Sequence, residues 1–298
     1  MKKRDFLKLA GAGVAAGLMP AVARSAADPL RVRWLGSAML EIEAAGLRIL
    51  CDPCLGEGPE AFLMGDPNEM FDLAKGPQVK PHARLTPFPG LGHDAYDLVL
   101  LSHAHEDHFD QKAQAWLDRQ LPMIAPEHDA PGLAEKGYAP QPLRHGAARQ
   151  FDAPQGRVTI TAVPAVHSQN PQISALLGLG NGYVIEVETD GRLQRIYWAG
   201  DSFHADPVAD ALAGQPTADL FIPHIGAVGG AGALGLLSMT GVQAAEFADR
   251  IAAQSVLPVH HSTYELYREG PEVLQAEHRR LSPRWQLLLP QEGGAISL

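Results

Sequence analysis

The segment His103-Ala104-His105-Glu106-Asp107-His108 places three imidazoles and the Asp107 carboxylate within six residues. Neutral imidazole and carboxylate oxygen suit borderline metals such as zinc, iron and manganese, and they need no thiolate. Ligands this close together, presented by one loop at a strand end, can face a pair of metal ions. Structural zinc sites are built mostly on cysteine, and a cysteine-rich ligand set is absent here. A solvated histidine-rich loop would account for the cluster alone. It would not account for His167, Asp201 and His260, further candidate ligands that each follow a strand of their own.

Those strands are read from short extended or apolar runs, from alternation and from turn residues. Arg31–Trp34 and Met39–Glu43 are short extended runs, Leu47–Cys51 ends at Asp52-Pro53, and Asp97–Leu101 leads into the histidine cluster. Residues 55–96 hold Pro59, Pro67, Pro77, Pro81, Pro87 and Pro89 without periodicity. They read as a long functional loop whose Phe62, Leu63, Met64 and Phe71 pack over something. Later, Val158–Val163 ends near His167, and a hairpin of Tyr183–Glu188 and Arg195–Trp198 turns at Asp190-Gly191 and ends at Gly200-Asp201. Asp219–Pro223 precedes His224, and Val256–Val259 precedes His260-His261. Thr240-x-x-Gln243 spells a capping box that opens a helix with Ala244, Phe247, Ala248 and Ile251 on one face. No linker separates the halves, so residues 27–298 read as one domain holding two sheets.

H-x-H-x-D-H, a later His, a Gly-Asp after a strand and a last His after a strand resemble the metallo-β-lactamase superfamily. The likeness runs over residues 31–265. It is similar above all to the branch containing ascorbate 6-phosphate lactonase and N-acyl-phosphatidylethanolamine phospholipase D. The segments that carry it are Trp34-Leu35-Gly36, Ile49-Leu50-Cys51-Asp52-Pro53, Leu101 through Asp110, Ala199-Gly200-Asp201-Ser202, Pro223 through Ala227 and Pro258 through Tyr264. The resemblance implies an α/β fold of the four-layer αββα type, with the site at one edge. It implies two divalent ions, zinc first, with iron or manganese as alternatives. His103, His105 and His167 would hold one ion, Asp107, His108 and His260 the other, and Asp201 would bridge them. Asp52 would orient ligands from behind. Two dications acidify a shared water, from a pKa of about 16 towards neutrality, so that hydroxide can attack a carbonyl carbon or a phosphorus.

The implied activity is hydrolysis of a small ester, lactone or phosphodiester. A β-lactam hydrolase and a non-catalytic metal-binding sensor or scaffold stand as alternatives, and the full ligand set favours an enzyme. Departures bear on the substrate: Ser37 stands where the related branch has His, and His167 is followed by Ser168-Gln169-Asn170. His105 stands where an oxygen-reducing di-iron branch has Glu, which favours hydrolysis. His204, three residues after Asp201, is a candidate proton donor, and His224 a candidate pocket residue. Gly230-x-Gly232-x-x-Gly235 lacks the strand–turn–helix setting of a dinucleotide site and reads as a loop rimming the pocket. Apolar residues in 55–96 and 173–179 suit an acyl chain, core packing or contact with a second copy in a homo-oligomer.

Composition sets the outer bounds. The chain has 298 residues, 46% of them hydrophobic, with 24 Lys+Arg against 34 Asp+Glu, which suits a globular protein rather than a disordered chain. The net charge of −10 argues against a dedicated nucleic-acid binder, and a small-molecule substrate is the expected partner. No run reaches the about 18 apolar residues of a membrane span. Lys2, Lys3, Arg4 and Lys8, an apolar run from Leu9 to Leu18, and Ala21-Val22-Ala23 with Arg24-Ser25-Ala26 read as a secretory signal peptide over residues 1–26. Lys3-Arg4-Asp5-Phe6-Leu7-Lys8 resembles the twin-arginine signal, with Lys3 at the departure, and the expected location is the periplasm. Removing residues 1–26 takes away five basic residues and one acidic one, leaving 19 against 33 and a net charge of −14. Cys51 and Cys54 either close a disulfide in that compartment or stay as two small buried thiols.

Overall fold

The computed structural model describes residues 29–298, so the stretch 1–26 read as a signal peptide lies outside the described residues. The first half supplies β1 (Leu30–Trp34), β2 (Leu40–Ala44), β3 (Leu47–Cys51), β4 (Phe62–Gly65), β5 (Val79–His82), β6 (Leu98–Leu100), β7 (Met123–Ala125) and β8 (Pro140–Pro142). The second supplies β9 (Ala148–Ala153), β10 (Gly156–Ala165), β11 (Gly180–Thr189), β12 (Arg192–Trp198), β13 (Leu220–Ile222), β14 (Ser255–Val256), β15 (Gln286–Leu287) and β16 (Ala295–Ser297). Helices α1 (Gln111–Trp116), α2 (Ala130–Glu135), α3 (Pro171–Leu177), α4 (Asp206–Leu212), α5 (Gly241–Arg250) and α6 (Pro271–Leu281) complete the set.

Two seven-stranded sheets form, in the orders β16-β1-β2-β3-β6-β7-β8 and β15-β14-β13-β12-β11-β10-β9. Side-chain alternation decides what each face covers. Ile49 of β3, Leu98 and Leu100 of β6, Ile160 of β10, Ile185 of β11 and Ile196 and Trp198 of β12 meet in one core between the sheets. The intervening Leu50 and Val99 turn the other way, onto Ala113 of α1 and Leu133 of α2. Tyr197 and Phe221 likewise turn onto Val208 of α4, Ala244, Phe247 and Ala248 of α5, and Leu274 of α6. Three apolar layers between four secondary-structure layers make the αββα sandwich. Among the described residues, no helix is long and apolar enough to cross a membrane.

Strand direction then places the chemistry. β10 is antiparallel to β11 and β11 to β12, while β12, β13 and β14 run parallel. The C-terminal ends of β10, β12, β13 and β14 therefore lie at one edge of their sheet. In the other sheet β1 and β3 point the same way and β6 runs parallel to β3. The two edges meet, because Asn181 N–H donates to the Ser102 carbonyl (2.8 Å) and His260 N–H to the Ser37 carbonyl (2.7 Å). Residues 55–96 are less loop-like than their prolines suggest, because β4 and β5 pair as a separate two-stranded hairpin. Pro81 sits opposite Leu63 in that ladder, where no further strand needs its missing N–H.

Candidate metal centre

Every predicted ligand arrives at this shared edge. Asp52 follows β3, His103 to His108 follow β6, His167 follows β10, Asp201 follows β12, His224 follows β13 and His260 lies past β14. Gly200 makes the turn before Asp201 with φ +62°, and a Cβ there would press on the Asn181 carbonyl and on Ser102. Asp52 (φ 40°) and His260 (φ 63°) hold the same left-handed region without being glycine, a strain of about 1–3 kcal/mol each that the surrounding bonds must hold.

The ligand atoms gather in three overlapping groups, each within 4.8 Å: His103, His105 and His167; His103, His108 and Asp201; Asp107, His108 and His260. Asp201 lies between the outer two groups, its Oδ2 3.5 Å from His108 Nε2 and 3.6 Å from His167 Nε2, its Oδ1 3.8 Å from His260 Nε2. The hydrogen bonds assign the imidazole tautomers. His108 Nδ1–H donates to Asp52 Oδ2 at 2.7 Å, His167 Nδ1–H to the Leu237 carbonyl at 3.0 Å, and His260 Nδ1–H to the Ile225 carbonyl at 3.0 Å. Ser102 donates its hydroxyl to Asp52 (2.5 Å) and so accepts from His103 Nδ1–H (3.0 Å). Four rings are thereby pinned with their Nε2 lone pairs turned inward. His103 Nε2 and His108 Nε2 are buried and have no hydrogen-bond partner among the described residues. Such orphaned acceptors beside two buried carboxylates fit a cation and little else.

Electrostatics supports the same reading. Burial, reinforced by the facing imidazoles, holds His103 well below the usual histidine range and takes His105 down to about 4, so both stay neutral as ligation requires. Burial would also neutralise His108, but Asp201 and Asp107 outweigh it and raise its pKa, which marks a point where positive charge is favoured. Burial alone would raise Asp107 and Asp201. The imidazoles His108 and His260 prevail at both and hold them below the carboxylate range. Asp52 is fully buried behind the cluster, where burial raises its pKa against the pull of the His108 and Ser102 donors. His224 is not a free pocket group. Its Nδ1–H donates to Asp201 Oδ1 (2.9 Å) and its Nε2 accepts from Trp198 Nε1–H (2.7 Å), which fixes the carboxylate's rotation.

His204 corrects the sequence reading. Its ring stands edge-on to Phe247 (4.7 Å) and lines a separate cavity with Arg195 and Arg250, behind the second sheet rather than over the cluster. The Asp201-Ser202-Phe203 turn sends Phe203 into the core and carries His204 past it. Cys51 and Cys54 are two buried free thiols. Cys54 Sγ–H donates to the Asp107 carbonyl at 3.0 Å, a supporting contact the sequence did not suggest. Ser37 shares a short hydrogen bond with the Tyr267 hydroxyl, and the Tyr267 ring lies 4.7 Å from that of His260. Ser102, Trp198 and Tyr267 are the residues that sequence reasoning missed. The one available signal was Ser102, a hydroxyl between a strand end and the first ligand.

Over the cluster opens a cavity of about 320 Å³. His105, Asp107, His167 and Asp201 line it together with Met64, Phe71, Leu73, Leu176, Leu177, Leu234 and Leu237. The glycine-containing loop does rim this cavity. Ala233 N–H donates to the Glu69 carbonyl (3.0 Å), Gly229 N–H to Asn68 Oδ1 (2.9 Å), and a Cβ at Gly232 would collide with the Pro67 carbonyl.

Residues 47–261 match the family described as the beta-lactamase superfamily domain. The chain belongs to this superfamily. A UPF0173 metal-dependent hydrolase of Bacillus subtilis is 26% identical over 258 residues, covering 82% of this chain and 90% of the relative. Another from Thermus thermophilus is 25% identical over 264 residues, 88% of this chain and 97% of the relative. Among solved structures, an isothiocyanate hydrolase from Delia radicum gut bacteria is similar with a TM-score of 0.73 at 22% identity, over 90% of this chain and all but 1% of the other. A possible metal-dependent hydrolase from Veillonella parvula gives 0.74 at 17% identity, over 91% of this chain and 100% of the other. The superfamily member described here is a metal-dependent hydrolase of the metallo-β-lactamase fold.

Proposed function

We propose that this superfamily member is an exported hydrolase that uses two divalent ions, zinc first among them, to cleave a small ester, lactone or phosphodiester. The observation that carries this reading is the pair of ligand groups with Asp201 between them and unpartnered imidazole nitrogens turned inward. His103, His105 and His167 would hold one ion, and Asp107, His108 and His260 the other. Bound there, the ions supply Lewis acidity, polarising the substrate oxygen that becomes anionic and acidifying water. The chain's own residues do the rest. Asp107 faces the cavity and can orient the attacking water, Asp52 and His224 keep the ligands in register, and the apolar walls exclude bulk water. The isothiocyanate hydrolase named above adds a further electrophile to the substrates that merit testing.

The test is elemental analysis of protein matured in the periplasm and never exposed to chelator, followed by a panel of esters, lactones, phosphodiesters, β-lactams and isothiocyanates. About two ions per chain and turnover of an ester, lactone or phosphodiester are expected. Asp201→Ala should abolish turnover and lower occupancy at both positions. Near-zero metal with no uptake on titration would overturn the proposal, and preferred turnover of nitrocefin would move it to the β-lactam reading. Export has its own test: Lys3→Gln with Arg4→Gln should leave the protein in the cytoplasm, and unchanged export would defeat the signal assignment.

A further inference from the structure

The cavity over the ligands is walled by apolar side chains from three separate places: the segment after β4, helix α3 and the loop before α5. Leu73 and Leu176 belong to this wall, yet they are 49% and 62% exposed, so the mouth itself is apolar. Among the described residues, no lysine or arginine lines the cavity, and apart from the candidate ligands the one ionisable wall residue is Glu106. An anionic group on the far arm of a substrate would lose water there, meet no ammonium or guanidinium, and face the Glu106 carboxylate. Size sets a further bound. A cavity of about 150 Å³ takes one benzene ring, so the roughly twofold larger volume here takes an arm the size of a phenylpropyl group.

We propose that the cavity selects uncharged substrates whose reactive carbonyl bears a compact apolar arm, and that it discriminates against a negative charge on that arm. This rests on the hydrolase reading above and narrows it towards neutral esters and lactones, away from phosphodiesters and from β-lactams that carry a carboxylate. The step is acyl–oxygen hydrolysis. The oxygen of water bonds to the carbonyl carbon, the acyl–oxygen bond breaks, the leaving alcohol takes one proton and the acid releases the other.

The experiment compares 4-nitrophenyl esters of 3-phenylpropionate, acetate and succinate with bis(4-nitrophenyl) phosphate, on metal-loaded protein of known ion content. The phenylpropionate ester should exceed acetate in kcat/KM by roughly 10-fold or more, because added apolar groups in a matching pocket discriminate on that scale. The succinate ester, with its free carboxylate, should fall at or below acetate. Leu73→Ser and Leu176→Ser, both at exposed positions that spare the core, should each narrow the phenylpropionate-to-acetate ratio. Glu106→Lys should raise succinate relative to acetate. Calorimetry should find 3-phenylpropanol binding to the metal-loaded protein, and Leu176→Ser weakening it. Preference for succinate or for the phosphodiester would overturn this inference while leaving the hydrolase standing. Failure to turn over any ester, lactone or phosphodiester with two ions bound would overturn both.

Discussion

At the scale of single residues, Asp52 works through its neighbours. Its Oδ2 takes the Nδ1–H of His108 and the hydroxyl of Ser102, and Ser102 in turn takes the Nδ1–H of His103. One buried carboxylate thus sets the tautomer of a ligand in each candidate group. Asp52→Asn keeps the shape but replaces an acceptor oxygen with a donor, so one of the two imidazoles loses the partner that fixes it. Metal affinity should fall by about 10–100-fold, measured by competition with a chromophoric chelator. Unchanged affinity would remove the orienting role. The candidate ligands were legible in the sequence because three imidazoles and a carboxylate fall within six residues, and the strand ends mark where the others converge. The Leu237 and Ile225 carbonyls that hold His167 and His260 were not legible, since a backbone oxygen carries no signature in residue type.

Among the elements, strands were readable as apolar runs where both faces are covered, as in β6 and β13, and by alternation in β10. The strand read as Val256–Val259 narrows to Ser255–Val256, because Pro258 has no N–H to extend the ladder. The β4–β5 hairpin escaped the pattern since its Phe62 packs on Cys54, Val228, Tyr264 and Leu266 of the surrounding loops rather than on a sheet. The capping box was legible and is fully formed, with Thr240 Oγ1 accepting from Gln243 N–H and the Gln243 side chain accepting from Thr240 N–H. Thr240→Ala should lower stability by about 1 kcal/mol in chemical denaturation, with metal content unchanged. The hairpin makes a pH prediction. Burial would raise the Asp66 carboxyl, but the Lys80 ammonium (2.7 Å) and the Asn68 N–H (2.8 Å) lower it. A depressed folded pKa contributes stability above the unfolded value and loses it as pH falls through the folded one. Asp66→Asn should therefore flatten the acid side of the stability profile slightly, since Lys80 is half-exposed and screened. An unchanged acid limb would show that the pair contributes nothing.

For the molecule as a whole, the consequence of the edge site is that it ties the two sheets together. His103, His105, Asp107 and His108 come from the first sheet, while His167, Asp201 and His260 come from the second. With ions bound, the inward lone pairs and carboxylates hold cations that only the folded chain can assemble. Without them, the same groups face one another across the junction. A ligand bound a thousandfold above its dissociation constant adds about 4 kcal/mol to folding. At about 2–4 °C per kcal/mol for a domain near this size, chelation should lower the melting temperature by roughly 10 °C, reversibly on adding zinc back. Asp201→Ala should start from the lower melting temperature and respond weakly to chelator, because the carboxylate lying between the two outer groups is gone. If chelation strips the ions and the wild-type melting temperature does not move, the metal is peripheral to folding. The inward-facing imidazoles would then be held apart by the protein scaffold alone.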